Sequence, residues 1–449
     1  MRSILSDIEE RLDQPTARGL ADAVSRAIRD GVLEPGVKLP PIRQIATELA
    51  LSPTTVSAGW TLLARSGAIH TDGRRGTTVA DAATPGAVRY RTALRRQTDF
   101  ELDLSTGVPD AALLPNLERA FAHLTTAGTP RSYLDDPVLP ELVQVLHAQW
   151  PYEAGQLTVV DGAMDALDQV ARSVLRFGDR VVVEHPCFPA LVDLVEATGV
   201  RVVGVPVDEH GLCPDQLAEV LRVPTAAVFL QPRAHNPTGA SMTIERAERL
   251  AGIIAGTGAL AVEDDSAGAI ASSPMVSLGT WIPEQTVHVR SFSKSHGPDL
   301  RLAAMSGPDA VMQHVLARRQ LGQGWSSRVL QRILLSLLTD PDTVAEVEQA
   351  RETYAGRRHD LVTALAGAGV EVGGTDGINL WLPVHDETAA LVRLASRGIG
   401  AAPGAPFTLL PEDAGHLRVT CGLVADGFDA LAGELADAAR TGSWDPRAR

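Results

Sequence analysis

Between residues 157 and 291 the chain carries short apolar runs of strand length, with stretches of helical spacing between most of them. The runs are residues 157–160, 181–184, 200–205, 226–230, 259–264 and 287–291. Apolar strands alternating with helices predict an α/β domain with a largely parallel sheet. In such sheets ligands gather at the carboxyl ends of the strands. The residues just after each run are therefore the first candidates for a site. The chain is 449 residues long, 45% hydrophobic and 21% charged, which excludes disorder and allows roughly two to four domains.

The first 80 residues do not share this pattern. Residues 15–31 carry Leu20, Val24, Ala27 and Ile28 at helical spacing, and Gly31 ends the run. A turn-rich connection leads to a second helix opened by Pro41, with Ile42, Ile45, Ala46 and Leu49 on one face. Ser52-Pro53 starts a third helix reaching about Arg65, because serine caps free amides and proline fits the first helical position. Two short strands, 68–71 and 77–80, flank the loop Asp72-Gly-Arg-Arg-Gly76. Helix, helix-turn-helix and hairpin make a winged helix-turn-helix, whose third helix enters a DNA major groove through its N-terminal residues. Ser52, Thr54 and Thr55 are the short polar groups there. Arg43 approaches from the second helix, and Arg74 and Arg75 stand at the wing tip, near flanking phosphate.

Charge divides the chain in the same place. Residues 1–97 hold 14 basic and 10 acidic residues, and residues 98–449 hold 26 and 45. A slightly basic head on an acidic body indicates two modules with different partners. Residues 81–98, with Arg89, Arg91, Arg95 and Arg96, read as a basic linker. Cys187, Cys213 and Cys421 are scattered and lack metal-ligand spacing, so neither a disulfide scaffold nor a metal site is expected. With no apolar leader and no bilayer-length run, a cytoplasmic protein without membrane contact is expected. Only Lys38 and Lys294 among 40 basic residues are lysine. Arginine cannot lose its proton and form a Schiff base, so a retained lysine is a candidate for that chemistry.

The body places its polar motifs at the strand ends. Asp161-Gly162-Ala163 opens a helix whose free amides suit phosphate. Phe188 follows the second run, Asn236-Pro237-Thr238-Gly239 the fourth, Glu263-Asp264-Asp265 ends the fifth, and Ser291-Phe-Ser293-Lys294 follows the sixth. Arg301 comes seven residues after Lys294, and Leu417-Arg418-Val419 lies near the end.

The head resembles the GntR family through Gly31-x-Leu33-x-Pro35-Gly36-x-x-Leu39-Pro40-x-x-Arg43, Leu51-Ser52-x-x-Thr55-Val56, Gly67 and Gly76-Thr77-x-Val79. Residues 99–449 resemble the fold type I pyridoxal-phosphate enzymes, with a smaller C-terminal α+β subdomain from about 340. That resemblance implies that Lys294 forms an internal aldimine and Asp264 pairs with the pyridine nitrogen, with Asp265 as the alternative. It also implies that Asn236 bonds the ring oxygen and Phe188 stacks on the ring. Gly162, Ala163, Ser291, Ser293 and Arg301 would hold the phosphate, with Tyr133 reaching the phosphate of a neighbouring subunit. Arg418 would clamp an effector or substrate carboxylate. The family's tyrosine after the aspartate is missing, since Ser266, Ala267 and Gly268 stand there.

The two halves together resemble the MocR family of bacterial regulators. The resemblance implies a homodimeric transcription factor that binds operator DNA and senses pyridoxal phosphate or an amino compound, often with the head on the partner's body. The alternative is a working aminotransferase with an appended DNA-binding domain.

Overall fold

The computed structural model describes residues 4–65, 68–72, 76–79, 100–122, 124, 132–411 and 415–442. The expected linker and the wing-tip residues Arg74 and Arg75 lie outside them.

The head has four helices, α1 (Ile4–Glu9), α2 (Ala17–Arg29), α3 (Ile42–Glu48) and α4 (Pro53–Arg65), then strands β1 (Ile69–Asp72) and β2 (Gly76–Val79). The helix-turn-helix and hairpin lie where the spacing places them, and α1 is an addition. Leu20, Val24, Ile45, Val56, Trp60 and Leu63 form its core, each at most 3% exposed. Helix α4 lies close on α2 because Gly59 has no side chain. A Cβ there would stand 3.0 Å from the Ala17 carbonyl oxygen. The connection read as turn-rich is also a sheet edge. Gly36 and Leu39 donate to the carbonyls of Val79 and Thr77, and Val79 donates to Val37.

The body opens with β3 (Leu102–Asp103). Its large domain holds β4 (Gln156–Val160), β5 (Arg180–His185), β6 (Arg201–Asp208), β7 (Gly211–Leu212), β8 (Ala227–Leu230), β9 (Leu260–Asp265), β10 (Thr286–Ser291) and β11 (Ala303–Gly307). They form one sheet in the order β4-β11-β10-β9-β8-β5-β6-β7. Neighbours from β10 through β9, β8 and β5 to β6 are parallel, while β11 runs antiparallel to both β10 and β4. The six expected strands are present. The strand β11 is small-residue rich (Ala-Ala-Met-Ser-Gly) and gives little apolar signal.

The small domain pairs β12 (Asn379–Val384) with β15 (Gly415–Thr420), and β15 with β14 (Ala402–Pro403), while β13 (Ile399–Gly400) joins β3. Alternation gives this sheet two different faces. Leu380, Leu382, Val384, Leu417 and Val419 enter a buried core with the helices Pro341–Gly367 and Phe428–Ala439. Asn379, Trp381, Arg418 and Thr420 take the other face. Leu104 belongs to the same core, so the start of the body is stitched into its end.

The helix Glu387–Ala395 lies between this core and the head. Ala390, Leu391 and Leu394 face the small domain, whereas Val392 is fully buried in the head's cluster. The helix touches both α2 and α4. The head thus contacts the small domain of the same chain through this helix.

Candidate functional site

The carboxyl ends of β4, β5, β8, β9 and β10 lie on one rim, and the motif residues collect there. At the end of β9 three carboxylates follow in sequence, and alternation sends the middle one to the opposite face from its neighbours. Asp265 is committed to Arg233, Oδ2 to Nη2 at 2.7 Å, with both groups buried. Glu263 accepts from Ser277 Oγ and Leu278 N and lies 2.7 Å from His288 Nδ1. Asp264 alone faces the cleft. Its Oδ2 accepts from Gln231 Nε2 at 2.9 Å, and its Oδ1 is buried with no hydrogen-bond partner. Burial raises its carboxyl pKa, while the Gln231 bond and the nearby Lys294 charge pull it down.

Lys294 follows β10, half-buried, with Nζ 3.3 Å from the Ser266 carbonyl oxygen. Desolvation lowers its pKa. Asp264 opposes that shift, and the Arg418 charge adds to it. Easier loss of the ammonium proton is what an amine nucleophile needs. Asn236 is also buried, and its Oδ1 lacks a partner. Two orphaned buried oxygens beside a lysine imply groups that a bound molecule would satisfy. A pyridinium N–H and a phenolic ring oxygen fit this lysine, carboxylate and amide, so the residues present suit pyridoxal phosphate.

The phosphate end fits as well. Gly162 caps the helix Ala163–Val174 at φ 102°, with no side chain capping its free amides. A Cβ on Gly162 would stand 3.1 Å from Arg301 Nη2, so the guanidinium lies over the helix entrance. Arg301 sits in the left-handed region at φ 49°. Ser291 is buried and Ser293 half-buried, with Ser293 N donating to Ser291 Oγ at 3.3 Å. Buried Arg319 bonds Asp165 at 2.9 Å and Asp161 at 3.1 Å, fixing this turn from behind. Sequence reasoning missed Arg319, which sits in an ordinary charged helix 154 residues from Asp165.

Phe188 is half-buried and packs with Trp381 and Phe407. Arg418 is 1% exposed, its guanidinium 5.6 Å from the Phe407 ring centre and hydrogen-bonded to the Ser105 carbonyl. Tyr133 is not brought to this cluster. It is 90% exposed and stacks on Trp325 at 5.7 Å. Also missed were Gln231, Glu184 and His235. Gln231 precedes the Asn-Pro-Thr-Gly motif by five positions, the one signal that could have found it.

His296 lies two residues beyond Lys294, its Nδ1 2.8 Å from Ser295 Oγ. Burial lowers its pKa from 6.5 to about 4. The unfolded imidazole therefore binds a proton first as pH falls, and folding stability is lost between pH 6.5 and 4. The full loss from this group is roughly 3 kcal/mol. Urea unfolding at pH 7 and 4.5 should show a smaller drop for His296→Leu than for the wild type. Equal drops would remove His296 as a source.

In the head, Ser52 Oγ accepts from Thr55 N at 3.0 Å and lies 2.8 Å from Thr55 Oγ1, which starts α4. Ser52, Thr54 and Arg43 are exposed and Thr55 half-buried. These groups share one outward end of the helix-turn-helix. Arg43→Ala should weaken DNA binding roughly tenfold at fixed salt. Gel-shift titration checks this, and an unchanged affinity takes Arg43 out of the interface.

The chain's relatives agree with both halves. Residues 16–79 match the bacterial regulatory proteins of the gntR family, and residues 101–435 match aminotransferase class I and II. The chain is 34% identical over 435 residues to the vitamin B6 salvage pathway transcriptional repressor PtsJ of Salmonella typhimurium, covering 94% of this chain and 98% of that protein. It is 27% identical over 352 residues to the HTH-type pyridoxine biosynthesis transcriptional regulator PdxR of Corynebacterium glutamicum, covering 76% of each. The kynurenine aminotransferase of Pyrococcus horikoshii superposes with a TM-score of 0.70 at 21% identity, over 78% of this chain and 93% of that one. That likeness concerns the fold alone. A gntR-type winged helix joined to an aminotransferase-like body, with such a relative along nearly its whole length, assigns this chain to the MocR family of bacterial regulators.

Proposed function

We propose that this protein is a transcription regulator that binds operator DNA through α4 and the wing and takes pyridoxal phosphate in its body as the signal. The observation that carries the reading is the buried pair of unsatisfied oxygens, Asp264 Oδ1 and Asn236 Oδ1, on residues joined through Gln231, with the Lys294 charge acting on Asp264. When bound, pyridoxal phosphate supplies an aldehyde for amines and an electron-poor ring. Lys294 is the amine that meets the aldehyde. Asp264 holds the ring nitrogen's proton, Asn236 bonds the ring oxygen, and Phe188 covers a ring face. Gly162, Ala163, Ser291, Ser293 and Arg301 hold the phosphate. The regulated genes would concern vitamin B6 supply, as the name of the Salmonella relative suggests.

Arg418 suits a carboxylate through its paired N–H groups, so an amino acid is a second effector class. That same residue favours the other reading, an aminotransferase that also binds DNA. A second copy of the chain would cover the exposed Tyr133, Leu134 and Leu321, at 90, 83 and 93% exposure, and give Tyr133 a neighbour's phosphate to reach. No described helix is long and apolar enough to cross a membrane, and a DNA-binding role accords with a cytoplasmic location.

The test is binding to the DNA upstream of the protein's own gene, at fixed salt, with and without pyridoxal phosphate. A cofactor-dependent change in affinity or footprint supports a sensor. Cofactor-blind binding together with sustained keto-acid production from an amino donor favours the enzyme.

A further inference from the structure

The cleft contains one buried side chain that the family motifs leave without a role. Gln231 is 5% exposed and makes four hydrogen bonds. Its Oε1 accepts from Asn236 N at 2.7 Å. Its Nε2 donates to Asp264 Oδ2 at 2.9 Å and to Ser266 Oγ at 3.1 Å. Its own N–H donates to Glu184 Oε2 at 2.8 Å, the carboxylate that also faces His235 at 3.4 Å.

The orientation of this amide follows from its partners. A backbone N–H can only donate, so the side-chain oxygen must face Asn236. The NH2 group then has to face Asp264, and a donor there stabilises the carboxylate form. One amide thereby spans two residues whose second oxygens, Asp264 Oδ1 and Asn236 Oδ1, are buried without a hydrogen-bond partner. It also reaches Ser266, in the segment where the family's phenol would stand.

We infer that Gln231 is the positioning residue of this cleft, locking Asp264 and Asn236 into one unit and so fixing where the ring of pyridoxal phosphate lies. The inference rests on the reading of the body as a pyridoxal-phosphate site. Gln231 does not touch the reacting atoms; it acts through its two neighbours. Without the missing phenol, the ring oxygen depends more heavily on Asn236, and Asn236 depends on Gln231 for its backbone anchor. A one-ångström drift of either neighbour would misplace both ends of the ring.

The experiment uses the full-length chain and pyridoxal phosphate itself. Gln231→Met keeps the length and removes donor and acceptor. Gln231→Glu keeps the shape and the acceptor for Asn236 N–H but sets a carboxylate against Asp264. Equilibrium titration gives the Kd for pyridoxal phosphate across pH 5–8, and thermal melting reports folding. Both variants should bind at least about tenfold more weakly at pH 7, the cost of a hydrogen bond to a charged group. The acid limb of the affinity profile should move to higher pH in Gln231→Met, because Asp264 loses the bond that favours its ionised form. A residue with a merely structural role would not move that limb. If Gln231→Met fails to fold, the near-isosteric Gln231→Glu decides. Wild-type affinity with an unmoved acid limb in a folded variant overturns the role of Gln231 while leaving the cofactor reading intact. A wild type that takes up no pyridoxal phosphate overturns both.

Discussion

Lys294→Ala is expected to abolish borohydride-trapped attachment of pyridoxal phosphate to the body and to remove the cofactor's influence on DNA binding, while the protein still folds. The expectation rests on uniqueness and surroundings. Lys294 is the only lysine in residues 39–449, and the other, Lys38, lies in the head. Its ammonium is desolvated beside Asp264, so the substitution removes both the nucleophile and a charge that helps keep Asp264 ionised. The body's fold does not need Lys294, whose one described hydrogen bond is the 3.3 Å contact with Ser266 O. Mass spectrometry after reduction is the readout, with the DNA titration run alongside. Label retained on the variant at wild-type yield would refute the assignment. A cofactor response of DNA binding that survives without attachment would show that reversible occupancy, rather than the covalent link, is sensed.

The strands at the core of the body were legible because they are apolar on both faces and read as continuous runs. The strand β11 was not, because Ala303 and Ala304 gain their burial from neighbours rather than from their own hydrophobicity. The small-domain sheet carries alternation, but its strands are separated by long insertions, and its functional face is only visible once β12 and β15 are paired. In the site, motif residues were legible where chemistry needs an unusual residue at a strand end. Lys294, Asp264 and Asn236 are of this kind. The ambiguity between Asp264 and Asp265 could not be resolved from spacing. It needed Arg233, 32 residues earlier, to claim Asp265. Gln231 and Arg319 escaped for the same reason. Their roles lie in which buried partners the fold brings to them, and a glutamine or arginine carries no mark of that in the sequence. Tyr133 is the converse. It was singled out by resemblance, yet one chain leaves it on the surface, and only a second copy could give it the expected role.

Val392→Asp should leave pyridoxal phosphate affinity unchanged and erase the effect of the cofactor on DNA binding. The helix Glu387–Ala395 touches the turn Ala405–Phe407 at one end and the head along its flank. Glu387 Oε2 accepts from Ala405 N at 3.0 Å, and the turn Ala405–Phe407 carries the ring that packs with Trp381 and Phe188. Five residues on, Val392 is wholly buried in the head's core cluster, and Arg393 exerts its charge on Asp22 of α2. A cofactor that presses on Phe188 therefore has a packed route to α2 and α4. Spatial continuity alone does not demonstrate coupling, and the substitution supplies the demonstration. An aspartate at 392 would be an unpaired carboxylate in the head's apolar core cluster, at a cost of several kcal/mol. Parting the interface avoids that cost, since Ala390, Leu391 and Leu394 still anchor the helix to the small domain. The head should then become more accessible to protease and the particle larger by small-angle scattering. DNA affinity should become the same with and without cofactor. If the variant still responds to pyridoxal phosphate, the signal does not travel through this helix, and contacts between two copies of the chain become the route to test.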